Sequence, residues 1–316
     1  MMTNLTRVEC ARFLTGHNHF AIITHCNPDG DTIGSAAALC LGLRQLGKTA
    51  YVLENAQVPQ MYAYLLEGLT EAAVQESDTV ISVDVAALRM FPAECLHLAE
   101  KVALRIDHHG SGESFAPQEL VDSTAAACGE IVYDLLMEMG AQLDAPMANA
   151  LYTAVSTDTG CFRYANTTDR SFALASACAQ VSGDIFRINQ QLFDTVSMGR
   201  LRLQSWVVAH MQVLQNGKIV VCGIPADLQE RLQLSEDDMG NLSGFLRSIE
   251  GVKMAATLKE EDGRIKISVR AVPGCDAAAV CEKFGGGGHK GAAGAGMDNV
   301  TLEEAAQKLI AAMPEI

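Results

Sequence analysis

Residues 102–109 read Val-Ala-Leu-Arg-Ile-Asp-His-His, an apolar run that ends in one carboxylate and two imidazoles. Residues 102–106 have the length and apolar content of a buried strand, so Asp107, His108 and His109 are predicted at a strand end. Three other segments place acidic or histidine side chains after an apolar run: His25-Cys-Asn-Pro-Asp29-Gly-Asp31, Val83-Asp84-Val85 and Ser156-Thr157-Asp158-Thr159. Together the four segments supply more potential metal ligands than a structural site needs.

The first half of the chain alternates apolar strands with helices. Strands are predicted at residues 20–24, 49–53, 79–83 and 102–106, and helices at residues 32–46, 123–139 and 148–156. Ser123 is expected to cap the second of these helices. Because such alternation is typical of a parallel sheet, whose functional groups lie at the carboxyl ends of the strands, we expect the four segments to meet at one sheet edge.

The second half has a different pattern. A helix is predicted over residues 188–211, followed by strands at residues 218–222, 252–259 and 264–270 and by a final helix at residues 301–313. We therefore predict an α/β fold with a parallel-sheet domain over residues 1–187, a connecting helix over residues 188–214 and a smaller α+β domain over residues 215–316. The active site is expected in the cleft between the two domains.

The composition narrows the class of protein. The 316 residues are 49% hydrophobic and carry a formal net charge of −15, which permits a sizeable core and opposes the binding of long nucleic acid. The ten cysteines include no Cys-x-x-Cys pair, so we expect reduced thiols and a cytoplasmic protein. Neither a signal peptide nor an apolar stretch of membrane-spanning length is visible, so no membrane partner is expected. The sequence leaves open whether the protein forms a homodimer.

The candidate metal ligands are four carboxylates and two imidazoles: His25, Asp29, Asp31, Asp84, His108 and Asp158. One divalent ion cannot use this whole set beside a water and a substrate, whereas two ions can if one carboxylate bridges them. Four negative charges balance two divalent cations, which permits burial of the cluster. Mixed His and Asp ligands without Cys favour Mn²⁺, with Mg²⁺ or Co²⁺ as substitutes. Two ions roughly 3.5–4 Å apart activate a water and hold a phosphoryl oxygen, so chemistry at phosphorus is predicted.

A glycine-rich stretch near the C-terminus is the second strong signal. Residues 284–291 read Phe-Gly-Gly-Gly-Gly-His-Lys-Gly. Glycines let a backbone approach a ligand and expose successive N–H groups to an anion. Because an imidazole and an ammonium group follow the glycines, we expect this stretch to bind substrate through Gly286, Gly287, Gly288 and His289, in preference to forming a flexible linker.

The acidic and histidine segments resemble those of the DHH superfamily of phosphoesterases. Its motif His-x-x-x-Asp-x-Asp matches His25, Asp29 and Asp31, its lone Asp matches Asp84, its Asp-His-His matches residues 107–109, and its fourth-motif Asp matches Asp158. The resemblance implies one ion on His25, Asp29 and Asp84 and a second on Asp31, Asp84, His108 and Asp158, with Asp84 as the bridge. It also implies three catalytic residues: Asp84, Asp107, which orients a histidine, and His109, which faces the substrate phosphate.

The C-terminal part resembles the DHHA1 domain, whose glycine-rich stretch ends in His. Arg270 matches the strand-borne arginine of that domain and is a candidate for binding a substrate phosphate. The compact pairing of the two domains resembles the subgroup of nanoRNases and 3′-phosphoadenosine 5′-phosphate phosphatases. This resemblance implies hydrolysis of short oligoribonucleotides, linear dinucleotides or that bisphosphate by a metal-activated hydroxide.

Two other functions remain open at this point. A manganese-type inorganic pyrophosphatase would have a similar metal domain, but its second domain is not expected to carry residues 284–289. A catalytically silent nucleotide-binding module would have no use for the complete ligand set. Arg105, Arg163 and Lys253 are too generic to assign from the sequence.

Overall fold

The structure is a computed structural model that describes residues 3–110, 112–261 and 263–316. The chain divides into two compact units, Met1–Thr195 and Val196–Ile316. No helix within these described ranges is long and apolar enough to cross a membrane. The domain borders predicted at residues 187 and 215 remain predictions.

The first unit is a parallel sheet packed against helices. Its strands are β1 (Thr3–Asn4), β2 (His19–Ile23), β3 (Thr49–Leu53), β4 (Thr70–Glu71), β5 (Thr79–Val83), β6 (Val102–Asp107) and β7 (Gln118–Val121). Its helices are α1 (Arg7–Thr15), α2 (Gly30–Gln45), α3 (Cys128–Glu138), α4 (Ala145–Asp158), α5 (Asp169–Val181) and α6 (Ile185–Asn189). The four strands predicted in this half agree with β2, β3, β5 and β6 to within one residue at each end.

Both faces of this sheet are buried, which explains the uninterrupted apolar runs of its strands. The strands run parallel in the order β1-β7-β6-β5-β2-β3-β4. Along β2, Phe20 and Ile22 belong to the large core that also contains α2, while Ala21 and Ile23 pack with Phe91 on the opposite face. Polar groups therefore lie where the strands end.

Helix α2 packs very closely against α4 because its contact positions are glycines. A Cβ atom at Gly34 would lie 2.3 Å from the carbonyl oxygen of Ala150. A Cβ atom at Gly30 would lie 2.5 Å from the side chain of Thr157. Since α2 begins at Gly30 and α4 ends at Asp158, this packing places the start of one helix beside the end of the other.

The start of the helix predicted at residues 123–139 is wrong. Helix α3 begins at Cys128, preceded by Ala127 with no side-chain cap, and Ser123 does not cap it. The carboxylate of Asp31 replaces a local cap, because its oxygens accept hydrogen bonds from the amides of Cys128 (2.6 Å) and Gly129 (3.0 Å). A side chain 97 residues away in sequence therefore supplies the hydrogen-bond acceptors for amides in the first turn of the helix.

The single helix predicted over residues 188–211 is also interrupted. Helix α6 continues as a short π-helix over Gln190–Asp194, after which Thr195 and Ser197 have extended backbone angles. Ser197 then caps a new helix, α7 (Met198–His210), by accepting a hydrogen bond from the amide of Arg200. The division between the two compact units falls within this interruption.

The second unit is a smaller mixed α+β structure. Its strands are β8 (Gln212–Leu214), β9 (Ile219–Ile224), β10 (Met254–Glu261), β11 (Arg264–Ala271), β12 (Gly287–His289) and β13 (Ala292–Asp298). Besides α7 it contains α8 (Leu228–Arg231), α9 (Leu242–Arg247), α10 (Ala277–Glu282) and α11 (Leu302–Ala312). The sheet order is β12-β13-β11-β10-β9-β8, with β9 and β10 parallel and the other neighbours antiparallel. The predicted fold class, an α/β unit followed by a smaller α+β unit, is confirmed.

Candidate metal centre

Three neighbouring strands of the first sheet end in candidate ligands. Strand β5 lies between β2 and β6, so Asp84, which follows β5, lies between His25 after β2 and His108 after β6. Asp84 is 2% exposed and has a backbone φ of 59°, a left-handed conformation that is uncommon for a residue other than glycine. The fold therefore gives the acidic side chain of the middle strand a constrained and central position.

The two carboxylate oxygens of Asp84 face two different sets of side chains. Its Oδ2 lies 3.7 Å from Nε2 of His25, which in turn lies 3.7 Å from Oδ1 of Asp29. Its Oδ1 lies 3.5 Å from Nε2 of His108 and 3.5 Å from Nδ1 of His109. Asp84 therefore lies between two groups of candidate ligands, one around His25 and one around His108.

The second ligand group is completed by helices α2 and α4. Nε2 of His108 lies 3.7 Å from Oδ2 of Asp31 and 3.6 Å from Oδ2 of Asp158, which is the last residue of α4. Asp31 is held in place by the α3 amides and by a hydrogen bond that Oγ of Ser35 donates to it (2.9 Å). The structure therefore brings all of the predicted metal ligands together in the first unit.

The geometry of these side chains fits metal binding. Ligand atoms about 2.1 Å from a common ion lie roughly 3.0–3.5 Å apart, close to the 3.5–3.7 Å separations between the imidazole nitrogens and carboxylate oxygens. The sets His25, Asp29, Asp84 and Asp31, His108, Asp158 each have ligand atoms within 4.8 Å of one another. Among the described residues, Oδ1 of Asp84 is a buried oxygen that accepts no hydrogen bond, which is costly unless a cation binds it.

Without a cation, the cluster is electrostatically unfavourable. Burial, followed by the charge of Asp158, raises the pKa of Asp31 to about 7, and burial raises the pKa of Asp158 to about 6. Burial and then the charges of Asp31 and Asp29 raise the pKa of Asp84 well above its ordinary value. The pKa of Asp29 is lowered, because its contacts with His25 and with backbone amides outweigh the opposing effect of burial. Divalent cations would relieve this repulsion.

This electrostatic arrangement predicts an unusual pH dependence of stability for the protein in a chelator. Asp31 and Asp158 bind protons more tightly when folded than when unfolded, where aspartate has a pKa of about 3.9. The free energy of unfolding should therefore fall as pH rises from about 4 to 7. We expect the first unit to melt at least ~3 °C higher at pH 5 than at pH 7.5 in thermal unfolding followed by circular dichroism. Adding Mn²⁺ at pH 7.5 should abolish the difference, and equal melting points in chelator would contradict the account.

Asp107 lies beside the ligands and contacts the second histidine of the triplet. Its Oδ1 accepts hydrogen bonds from Nδ1 of His109 (2.8 Å) and from the backbone amide of His108 (2.8 Å). Its Oδ2 accepts one from the guanidinium group of Arg105. Burial alone would raise the pKa of Asp107, but its contacts with His109 and Arg105 together outweigh burial and lower that pKa. This hydrogen bond is the contact through which Asp107 would orient His109, and the catalytic roles of both residues remain predictions.

The predicted substrate-binding residues lie in the second unit. Strand β12 contains Gly287, Gly288 and the exposed His289, and it pairs with β13, which is also the neighbour of the strand that carries Arg270. The amide of Gly286 is not exposed for anion binding, because it donates to the carbonyl of Cys281 (3.0 Å). The expectation of successive exposed amides is therefore wrong at Gly286, and the substrate-binding role of the stretch remains a prediction.

Steric contacts explain why glycine occupies positions in this stretch. A Cβ atom at Gly286 would lie 2.2 Å from the carbonyl oxygen of Gly294, and one at Gly288 would lie 2.6 Å from that of Ala292. Glycine therefore lets the stretch lie directly against β13.

Sequence reasoning did not identify two residues that contact the site. Ser35 holds Asp31 and was not singled out, although its spacing of four residues places it one helical turn from Asp31. Arg105 contacts Asp107 two residues along the same strand, where side chains share a face. The available sequence signal was that Arg105 lies two residues before Asp107, on the same face of the predicted strand.

Comparison with known proteins places the chain in a family. Residues 19–155 match the profile of the DHH family, N-terminal domain, and residues 216–316 match that of the DHHA1 domain. The chain is 30% identical over 305 residues to the bifunctional oligoribonuclease and PAP phosphatase NrnA of Thermus thermophilus, covering 93% of this chain and 89% of the relative. It is 25% identical over 294 residues to the protein of the same name from Bacillus subtilis, covering 92% of each chain.

A solved structure agrees with this placement. An exopolyphosphatase-related protein from Bacteroides fragilis superposes with a TM-score of 0.85 at 25% identity, covering 97% of this chain and 95% of the other. The matched profiles span both compact units and include most of the candidate metal ligands. The chain therefore belongs to the DHH family, as a metal-dependent phosphoesterase that combines a DHH domain with a DHHA1 domain.

Proposed function

We propose that this protein is a two-metal phosphoesterase that hydrolyses short oligoribonucleotides, linear dinucleotides and 3′-phosphoadenosine 5′-phosphate. The observation that carries the proposal is the position of Asp84, whose Oδ2 faces His25 and whose Oδ1 faces His108. One ion would bind His25, Asp29 and Asp84, and the other would bind Asp31, Asp84, His108 and Asp158. Mn²⁺ fits this His and Asp set best, with Mg²⁺ or Co²⁺ as substitutes.

The protein side chains have different roles in the proposed reaction. When bound, the two ions lower the pKa of a water molecule and neutralise charge on the phosphoryl oxygens. Asp31, anchored by Ser35 and the α3 amides, and Asp84, fixed by its backbone, keep the ligand geometry rigid. With its Nδ1–H bonded to Asp107, His109 donates from Nε2 to a phosphoryl oxygen when both ring nitrogens carry protons, and so stabilises the charge that develops there.

Two observations support the proposed substrate class: the names of the relatives and the net charge of the chain. The relatives from Thermus thermophilus and Bacillus subtilis are named as oligoribonucleases and PAP phosphatases. A net charge of −15 is unsuited to the many phosphate contacts that hold a long polymer, so short substrates are favoured. The DHHA1 match over residues 216–316 argues against an inorganic pyrophosphatase, and the complete ligand set argues against a silent binding module. A cytoplasmic location, in keeping with ten unpaired cysteines, is part of the proposal.

One assay separates these functions. The purified protein in Mn²⁺ is incubated at equal concentrations with 3′-phosphoadenosine 5′-phosphate, a diribonucleotide, a 20-nucleotide single strand and pyrophosphate, and the products are quantified. We expect hydrolysis of the bisphosphate and the dinucleotide, with the long strand and pyrophosphate far slower. Preferred hydrolysis of pyrophosphate, a long strand cleaved as fast as the dinucleotide, or no hydrolysis of any of the four would each contradict the proposal.

The second unit is proposed to bind the substrate without contributing to the reaction. Replacing Arg270 or His289 by alanine should raise KM, with a smaller effect on kcat, because such contacts act equally in the ground and transition states. Each loss of a charge-assisted hydrogen bond should cost roughly 1.5–3 kcal/mol in kcat/KM.

Steady-state kinetics and metal analysis check this prediction. Bound metal should stay unchanged in both variants, since both residues lie outside the unit that contains the ligands. Arg264→Ala is a matched control on the same strand, because that exposed side chain pairs with Asp298 (3.1 Å). Unaltered KM and kcat in both test variants would show that neither residue contributes to substrate binding, and loss of metal would contradict the separation of the metal ligands from these residues.

A further inference from the structure

Arg105 is a charged side chain that the proposed chemistry does not use, yet it is almost completely buried. It lies in β6, is 2% exposed and has its guanidinium group 5.3 Å from the ring centre of Phe115. Gly112 approaches it so closely that a Cβ atom there would lie 2.1 Å from Nη2. Burying a guanidinium group is costly, so its partners must compensate for lost hydration.

The partners of Arg105 connect it to the catalytic carboxylate. Its Nη2 donates to Oδ2 of Asp107, the carboxylate whose other oxygen accepts the hydrogen bond from Nδ1 of His109. A second carboxylate, that of Glu119, lies 3.7 Å from Nη1. An unbroken chain of hydrogen bonds therefore runs from Arg105 through Asp107 to His109.

Arg105 also contacts the turn that carries the bridging carboxylate. Its Nε donates to the carbonyl of Val85 (3.0 Å), the residue that follows Asp84 with its positive φ. Its Nη1 donates to the carbonyl of Glu113 (2.8 Å), in the segment after the two histidines. One side chain thus fixes the ends of β5 and β6 relative to each other.

We propose that Arg105 is a positioning residue, which sets the orientation of His109 through Asp107. This inference rests on the proposed function, because it assumes that His109 contacts the phosphoryl group. The hydrogen bond that Nη2 of Arg105 donates to Oδ2 of Asp107 restricts rotation of that carboxylate, and so restricts the direction of Oδ1, the oxygen that His109 bonds. Loss of an orienting partner of this kind typically costs 10–100-fold in activity.

The main test variant keeps the net charge of this buried cluster unchanged. Arg105, Asp107 and Glu119 sum to one negative charge, and so does the double variant Arg105→Gln/Glu119→Gln, which avoids leaving Glu119 without its cation. Glu119→Gln alone is the matched control, because its remaining oxygen can still accept from the amide of Phe115. Arg105→Lys tests rescue by a conservative change. All of these variants are made with His109 and again with His109→Ala.

With His109 present, we expect Arg105→Gln/Glu119→Gln to lower kcat on the dinucleotide about 10–100-fold, with KM, bound Mn²⁺ and melting temperature close to those of Glu119→Gln. Arg105→Lys should recover part of the loss. In the His109→Ala background the same changes should alter kcat less than twofold, since the group through which Arg105 acts is absent. An equal loss in both backgrounds, or no loss in either, would overturn the inference.

A second measurement keeps this inference separate from the proposed function. If the unmodified protein hydrolyses neither nucleotide substrate, the proposed function fails, but the orientation of His109 can still be observed. The Nδ1 proton of His109, bonded to Asp107, should give a protected ¹H–¹⁵N signal in the Glu119→Gln protein and lose that protection in the double variant. An unchanged signal would contradict the positioning role.

Discussion

Replacing Asp84 by asparagine should lower kcat/KM on the dinucleotide and on the bisphosphate by at least about three orders of magnitude, or roughly 4 kcal/mol. The physical reason is that Asp84 faces both ligand groups, so the change weakens both metal sites, whereas loss of Asp29 or Asp158 weakens one. Steady-state kinetics in Mn²⁺ check the result. Turnover within tenfold of the unmodified protein would contradict a bridging role.

The same substitution should stabilise the protein in the absence of metal. Asparagine tolerates a positive φ, and removing one of several buried carboxylates relieves their repulsion, so Asp84→Asn should melt higher than the unmodified protein in chelator at pH 7.5. Asp144→Asn is the matched control: Asp144 is an exposed cap of α4, and asparagine caps equally well. That control should change neither activity nor melting temperature, and a lower melting temperature for Asp84→Asn would contradict the electrostatic argument.

Complete removal of metal should abolish hydrolysis, and activity should return only when the second ion binds. The ligand groups around His25 and around His108 share Asp84, so occupancy of one leaves the phosphoryl group without the charge supplied by the other. Titrating Mn²⁺ into chelated protein should therefore raise the melting temperature from the first equivalent, while activity rises sigmoidally. The control is the same titration with Asp84→Asn. Activity proportional to the first equivalent, or full activity after thorough chelation, would rule out a two-ion reaction.

The sequence identifies the candidate ligands that the structure brings together because their signals are local. Each of His25, Asp84 and Asp107 follows a short apolar run, and parallel strands end at a common edge, so their convergence follows from fold class alone. The proposed bridging role of Asp84 comes from the family resemblance, because it depends on β5 lying between β2 and β6, and local sequence patterns do not specify strand order. The close contact between α2 and α4 at Gly34 is similarly a property of the packed helices.

Two of the failed predictions concern backbone amides whose hydrogen-bond acceptors lie outside the predicted motif. Ser123 is a suitable cap, yet the amides of α3 bond to Asp31, which no pattern near residue 123 can reveal. The amide of Gly286 appears available from its sequence, but the end of α10 supplies its acceptor. Arg105 looks generic because its importance depends on partners from several segments, such as Val85 and Glu119. Tertiary contacts decide the cases of Ser123 and Arg105, whereas the acceptor for Gly286 is local, five residues earlier in the chain.

The central claim is that the acidic cluster holds two ions bridged by Asp84, and counting bound Mn²⁺ tests it most directly. Equilibrium dialysis of the purified protein, followed by electron paramagnetic resonance of the bound Mn²⁺, reports both number and proximity. The account predicts two ions per chain with the exchange-coupled spectrum of a pair roughly 3.5–4 Å apart, and at most one uncoupled ion in Asp84→Asn. One ion per chain in the unmodified protein, or two uncoupled ions, would contradict it.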